Sequence, residues 1–278
     1  MIHDIVVPVK TESGRPASPA ESYAISLASL FGAHLTGIGS SSPQALSGML
    51  SAEIPAGIIE EIRRRADTAT RAALSAFEQL ASSAGVLHQV VSLRGEPAEF
   101  ANTFSTRTRA FDIAVLPQPE AEDAWARELV EAVLFDSGRP ALVVPFIQRD
   151  EARFKSVLVA WDGSKEAARA VHDALPLLRR AASIEVLTIY TEKHCAQDVI
   201  PGADLAAHLA RHGLQVTART LDGVEIGVTD ALLSHVADSG VDLIVMGGYA
   251  HSRLRHLVFG GATSGILNSM TAPVLMAH

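Results

Sequence analysis

The sequence predicts an α/β fold with two tandem, doubly wound, mostly parallel five-stranded sheets that have helices on both faces. Short apolar runs alternate with segments of helical spacing, and the whole series occurs twice along the 278 residues. Aromatic residues make up only 5% of a chain that is 48% hydrophobic. This composition predicts an aliphatic core, as buried parallel sheets usually have.

The apolar runs predict five strands in each half. In the first half they span residues 4–9, 34–39, 87–93, 112–117 and 141–146, and in the second half 156–161, 184–190, 214–221, 242–247 and 273–278. Apolar side chains recur at helical spacing between these runs, notably in 58–80 and 167–178. The alternation of the two patterns predicts right-handed crossovers and parallel strands.

The two halves align with each other. Asp112 and Asp242 occupy equivalent places before the fourth strand of each half, and Pro140 and Pro273 occupy equivalent places before the fifth. A polar, charged linker follows residue 148. We therefore predict one domain over 1–148 and a second over 154–278.

Composition argues against several classes of protein. The chain has 23 Lys plus Arg and 31 Asp plus Glu, so its net charge is −8. This charge argues against a nucleic-acid or anionic-membrane partner. Cys195 is the single cysteine, so no internal disulfide is possible. Asp4 interrupts the N-terminal apolar stretch that a signal peptide would need, and no window of the sequence resembles a membrane span. We expect a cytoplasmic protein.

Small and basic residues follow the predicted strand 242–247. Gly247 and Gly248 come first, then a basic stretch with His251 and Arg253, and then Gly260 and the residues that open a helix. Ligands of open parallel sheets bind beyond the carboxyl ends of the strands, where the strand order reverses. Glycines allow backbone N–H groups to approach an anion, and a helix N-terminus favours negative charge. The segment therefore predicts a phosphate site.

With these residues the chain resembles the universal stress protein family, in particular its tandem-domain members. Nucleotide-binding members carry a Gly, a second Gly three residues later, nine further residues, and then Gly followed by Ser or Thr. Gly247 and Gly260 fit this spacing, whereas Ala250 replaces the second Gly and Gly261 replaces the Ser or Thr. Thr263 is a candidate substitute for the missing hydroxyl.

The resemblance also implies residues that hold the adenosine part of the ligand. It implies Asp162 at the end of the first strand of the second half, Ile189 in the second strand, and Met246 beside the base. In the first half the corresponding places hold Lys10 and the proline-rich, acidic segment 117–120, so we expect no nucleotide there. The full predicted site is Asp162, Ile189, Met246, Gly247, Ala250, His251, Arg253, Gly260, Gly261, Ala262 and Thr263.

Three functional hypotheses remain open at this point. The first is a stress-response regulatory protein that binds ATP or a related adenine nucleotide in its second domain, with Mg²⁺ only as the companion of ATP. The second is a nucleotide-free scaffold or dimerisation module. The third is a slow ATPase, although no P-loop, nucleophile elbow or metalloprotease motif is present and no catalytic residue is predicted. Expected partners are an unidentified protein and the chain itself, as a pseudo-dimer of its halves through their final strands or as a homodimer.

Each candidate residue also has a structural interpretation. The glycines are also consistent with a plain connection, and Asp162 with a cap of the helix that Ser164 starts. Asp204, His208 and His212 lie on one predicted helix face, where they are candidate metal ligands together with Cys195 or His194. We favour an exposed polar face there and predict no metal site. Residues 63–65, three arginines, are expected to be solvated.

Overall fold

The computed structural model describes residues 1–11, 17–40, 56–93, 97–120, 124–190, 201–222, 227–248 and 262–278. These residues contain ten strands and eight α-helices in alternation, which confirms the α/β class. The strands are β1 (Asp4–Val9), β2 (His34–Ser40), β3 (His88–Leu93), β4 (Ile113–Pro117), β5 (Ala141–Val144), β6 (Ser156–Ala160), β7 (Ser183–Ile189), β8 (Val216–Leu221), β9 (Leu243–Gly247) and β10 (Val274–Ala277). The helices are α1 (Pro19–Phe31), α2 (Ala56–Ser83), α3 (Pro97–Thr108), α4 (Ala124–Ala132), α5 (Lys165–Leu178), α6 (Gly202–Arg211), α7 (Val228–Ser239) and α8 (Ala262–Ser269). A π-helical turn, Val133–Ser137, extends α4.

Local sequence signals set the ends of the helices that follow the first strand of each half. Ser18 caps α1 by accepting a hydrogen bond from the backbone N–H of Glu21 at 3.2 Å. Ser164 caps α5 in the same way through the N–H of Ala167, at 3.1 Å. Helix α1 ends at Gly32, whose φ of 61° lies in the left-handed region that favours glycine. The crossover helices therefore begin at predictable places just beyond the strands.

The chain forms two compact units. The first contains β1–β4 and α1–α4, and its strands lie in the parallel order β3-β2-β1-β4. The second contains β5–β10 and α5–α8, in the order β5-β10-β9-β6-β7-β8. Strand β5 thus differs from the predicted five-plus-five division, because it pairs within the second unit. The domain bounds 1–148 and 154–278 stay a prediction.

The predicted pairing of the two final strands is confirmed. Val143, Leu142 and Ala141 of β5 lie opposite Val274, Leu275 and Met276 of β10 in antiparallel register. All four residues of each strand are buried. The other strand pairs of the second unit are parallel. Pairing with β5 therefore covers an apolar edge that would otherwise invite association with another chain.

A carboxylate clamp recurs at the amino ends of the strands in both units. Asp112 Oδ2 accepts hydrogen bonds from the backbone N–H groups of His3, at 2.7 Å, and Asp4, at 3.0 Å. Asp242 Oδ2 accepts from the N–H groups of Lys155 and Ser156, both at 3.0 Å. The two aspartates are the ones that the sequence alignment of the halves places together. The shared clamp supports the predicted internal repeat.

The core of each unit is mainly aliphatic. Tyr23, Phe77 and Phe104 are the large aromatic side chains that are almost fully buried. Phe77 packs against β2 where Gly37 has no side chain, since a Cβ at Gly37 would lie 2.6 Å from the Phe77 ring. Among the helices that the structure describes, none has both the length and the apolar character of a membrane span.

Candidate functional site

The strand order of the second unit reverses between β6 and β9. From β6 the chain proceeds to β7 and β8 on one side, and it then returns to place β9 and β10 on the other side. Ala160 at the end of β6 lies opposite Met246 in β9, so both carboxyl ends reach the same edge of the sheet. Open α/β sheets bind ligands at such a reversal. We call this edge the β6/β9 crevice.

Asp162 lies at the carboxyl end of β6, where sequence analysis expects an adenosine contact. Its Oδ1 accepts hydrogen bonds from the backbone N–H of Ser164, at 3.0 Å, and from the Ser164 hydroxyl, at 2.6 Å. The side chain is exposed. Among the described residues Oδ2 has no hydrogen bond. One carboxylate oxygen of Asp162 thus holds the turn before α5, and the other is available to a ligand.

Gly247 ends β9 and packs directly against the start of α5. A Cβ at this position would lie 2.6 Å from the backbone nitrogen of Ala167 and 2.9 Å from the carbonyl carbon of Glu166. Real Cβ atoms do not approach backbone atoms this closely. The absence of a side chain at Gly247 is thus required by the packing of strand on helix, with or without a ligand.

Gly248 has no free backbone donor for a phosphate. Its N–H donates to the carbonyl of Ala277 at 2.9 Å, and its carbonyl lies 3.0 Å from Nδ1 of His278. Gln118, at the equivalent place after β4, donates in the same way to the carbonyl of Val144. Within the glycine segment that follows β9, the N–H of Gly248 is therefore not available to a phosphate.

The two predicted apolar contacts lie on opposite sides of β6. Met246 is in β9 and is only 7% exposed, and Ile189 ends β7 with its side chain half-buried. Strand β6 pairs with both β7 and β9. An adenine ring that touches both residues would have to cross the end of β6 close to Asp162.

The far end of the predicted phosphate segment is the start of α8. Ala262 is half-buried there, and Thr263 is 6% exposed. The predicted residues Ala250, His251, Arg253, Gly260 and Gly261 lie outside the described residues. Their roles stay predictions.

Sequence reasoning missed the carboxylate that lies in the first turn of α5. Glu166 is 4% exposed, and its Oε1 lies 3.4 Å from Nζ of Lys165. An acidic residue in the first helical turn is the signal that could have identified it. Because this carboxylate already occupies the positive end of α5, that helix is a poor phosphate site.

The matching edge of the first unit is occupied by its own side chains. Lys10 follows β1, its N–H donates to Oε1 of Glu21 at 3.3 Å, and its ammonium lies 5.9 Å from the centre of the Trp125 ring. Glu21 is buried, and this burial raises the pKa of its carboxyl above the ordinary value, although hydrogen bonds from Lys10 and Ser18 act in the opposite direction. Lys10 thus stands where the second unit has Asp162, and its surroundings are a buried carboxylate and an aromatic ring.

The helix face that sequence analysis considers and does not favour as a metal site carries a pair of neighbouring histidines. His208 and His212 on α6 have ring centroids 4.9 Å apart. Within the described residues no group of three or more His, Cys, Asp or Glu side chains is arranged to hold a metal ion. His194 and Cys195 lie outside that part of the chain.

Comparison with known proteins finds a family match in the second half of the chain. Residues 153–278 match the sequence profile of the universal stress protein family. The second half of the chain is therefore similar to the universal stress protein family. This match confirms the resemblance drawn from the glycine segment and Asp162.

Individual universal stress proteins are also similar to this chain. Universal stress protein Slr1230 of Synechocystis sp. is 26% identical over 147 residues, which are 52% of this chain and 49% of the relative. The match thus spans about half of that relative's length. The crystal structure of a universal stress protein from Archaeoglobus fulgidus is 17% identical with a TM-score of 0.70, covering 98% of this chain and 95% of its own. A putative universal stress protein from Pseudomonas aeruginosa is 12% identical with a TM-score of 0.61, over 99% and 92%. Both solved structures share the fold over nearly the whole chain.

Proposed function

We propose that the second unit binds ATP or a related adenine nucleotide at the β6/β9 crevice, as part of a regulatory role in the stress response. The observation that supports this most directly is the exposed Asp162 carboxylate at the reversal of strand order, with Oδ2 unused among the described residues. The glycine-rich and basic sequence 247–263 follows the neighbouring strand. Both features belong to the half that matches the universal stress protein family.

Each part of the ligand has a proposed contact. Asp162 Oδ2 accepts a hydrogen bond from the adenosine part, and Met246 and Ile189 supply apolar surface beside the base. The phosphates lie toward the start of α8, because the N–H of Gly248 is already used. Mg²⁺ enters only with ATP. We propose binding without turnover, since no residue in the part of the crevice that the structure describes stands out as a general base.

Calorimetric titration of the full chain with Mg·ATP tests this proposal. One site per chain is expected, and Asp162→Ala should weaken binding roughly ten- to hundredfold, because a hydrogen bond to a charged group contributes about 1.5–3 kcal/mol. Asp238→Ala is the matched control, since Asp238 is an exposed aspartate on α7. Two sites per chain, or equal affinity for the Asp162→Ala variant, would refute the assignment.

A second variant tests the two departures from the family motif. Ala250→Gly combined with Gly261→Ser restores the spacing of the nucleotide-binding members and should tighten ATP binding. If the unaltered chain and this double variant are both folded and neither binds ATP at millimolar concentration, the nucleotide proposal fails. Phosphate release with Mg·ATP in excess would separate a slow ATPase from a binding protein.

A nucleotide-free scaffold is the second candidate, and the environment of Gly247 favours it. That glycine is explained by its contact with Ala167 and Glu166 alone, so its presence is no evidence for a phosphate. Under the scaffold hypothesis neither the double variant nor Asp162→Ala has measurable affinity for ATP, and the paired strands β5 and β10 are the functional part of the chain.

A further inference from the structure

His208 and His212 form a pair on the exposed surface of α6. They are four residues apart, so they lie on the same face of the helix on successive turns. Both side chains are exposed, and their rings meet at an interplanar angle of 70° with centroids 4.9 Å apart. Leu205 and Leu209 of the same helix are buried. Each histidine lies three residues after one of these leucines, so the pair lies beside the buried face of α6 and is itself exposed.

The ring separation matches that of two imidazoles on one metal ion. A metal bonded to an imidazole nitrogen at about 2.0–2.1 Å lies about 3.2 Å from the centre of that ring. Two such rings have centroids about 4.5 Å apart at a right-angled bond angle and about 5.2 Å apart at a tetrahedral one. The observed 4.9 Å lies between these values. The separation therefore allows both rings to reach one ion, once rotation about the side-chain bonds turns a nitrogen of each ring toward it.

The surrounding charges are compatible with a cation. The pair lies at the C-terminal end of α6, with His212 as the C-cap residue. The carboxyl end of a helix carries partial negative charge, which stabilises a bound cation. Asp204 lies one turn before His208 and adds negative charge, whereas Arg211 opposes it. These contributions partly cancel, so we expect the two imidazoles to dominate the affinity.

We propose that His208 and His212 chelate a divalent transition-metal ion of the nickel, copper and zinc series. Imidazole nitrogen suits these ions, whereas Mg²⁺ and Ca²⁺ prefer oxygen ligands. Each histidine supplies one nitrogen, and water or a small ligand completes the coordination. Affinity should be highest for Cu²⁺, in keeping with the general order of divalent ions. The site is separate from the β6/β9 crevice and does not depend on nucleotide binding.

Copper(II) iminodiacetate is the probe of choice. Its tridentate chelator leaves neighbouring coordination positions for the two imidazoles, and it discriminates against sites that need more protein ligands. Titration of the full chain, followed by electron paramagnetic resonance, should show a species with two imidazole nitrogens. His208→Ala and His212→Ala should each weaken binding by about tenfold or more, which corresponds to about 1.4 kcal/mol or more.

Two controls make the result specific. His172→Ala removes another exposed histidine, on α5, and should leave the two-nitrogen signal unchanged. His3→Ala removes an exposed histidine of the first unit and should likewise leave the two-nitrogen signal unchanged. Because both members of the pair are exposed, their alanine variants should keep the circular dichroism spectrum of the unaltered chain. A spectrum with only one imidazole nitrogen, or equal binding by the His208→Ala and His212→Ala variants, overturns the proposal.

Discussion

Substitution of Gly247 by alanine measures how closely β9 approaches α5. The added Cβ would lie 2.6 Å from the nitrogen of Ala167, 2.9 Å from the carbonyl carbon of Glu166 and 3.0 Å from the Glu166 Cβ. Ordinary contacts begin near 3.4 Å, so the strand end and the helix start must separate by roughly 0.8 Å. Two of the three atoms belong to the backbone and cannot rotate away. The φ of Gly247 is not in the left-handed region, so the cost comes from the contact and not from backbone strain.

The expected loss of stability is about 1–3 kcal/mol, as for other overpacked sites. For a domain of this size, 1 kcal/mol shifts the melting temperature by about 2–4 °C, so a decrease of roughly 2–12 °C is expected. The measurement is thermal unfolding of the ligand-free protein. Gly57→Ala is the matched control, because nothing lies within 4 Å of a Cβ at that helical glycine; we expect it to be neutral or stabilising.

The result distinguishes two reasons for a glycine at the end of β9. If Gly247 serves only to admit a phosphate, the ligand-free variant melts within a degree of the unaltered chain and of the Gly57→Ala variant. Such a result would refute the packing argument. A clear decrease in the Gly247→Ala variant alone would show that the glycine is needed before any ligand binds.

Two further predictions concern carboxylates with structural roles. Asp242→Ala should lower the free energy of unfolding, measured in urea, by about 1.5–3 kcal/mol, because two backbone N–H groups lose a charged acceptor. Asp112→Ala should lower it by a similar amount. A loss smaller than that of the control Asp238→Ala would contradict a stabilising role for these two aspartates. Above pH 4.5 the Glu21→Gln variant should become progressively more stable than the unaltered chain. Burial raises the pKa of the Glu21 carboxyl in the folded state, so the contribution of Glu21 to stability is present at low pH and is lost as the pH rises through this raised pKa. Urea midpoints of both proteins between pH 4 and 8 measure this difference in stability. A difference that does not change with pH would contradict the prediction.

The fold could be predicted because its signals are local and repeated. Every apolar run found in the sequence became a strand, with bounds that differ by at most two residues at either end, because a buried parallel strand needs a continuous apolar stretch. Ser164 marked the start of α5 through ordinary capping, and Ser18 caps α1 in the same way in the structure. The pairing of β5 with β10 was expected from the family resemblance, whereas the grouping of β5 with the second unit depends on packing between distant parts of the chain and has no local signal.

The candidate site was only partly predictable for a related reason. Asp162 follows an apolar run directly, so its place at the sheet edge follows from the end of β6. The tight contact of Gly247 with α5 depends on the three-dimensional approach of two elements, and no local pattern reports it. Buried carboxylates such as Glu166 and Glu21 are also set by tertiary packing. Reasoning from the motif alone therefore assigns Gly247 to ligand binding, although the packing of β9 against α5 already requires a glycine there.

The clamps of Asp112 and Asp242 act at the opposite end of the strands from the candidate site. Both units anchor the amino end of an equivalent strand, β1 or β6, in the same way, yet six residues later one has Lys10 and the other Asp162. A substitution at the carboxyl end of the strand leaves these anchoring bonds intact, so the residues there can differ between the units without unfolding either sheet. Substitution of a clamp aspartate destabilises its own unit, whatever residue follows the strand. The stability of each sheet and the chemistry of the loops beyond it are therefore set by separate residues, at opposite ends of the same strands.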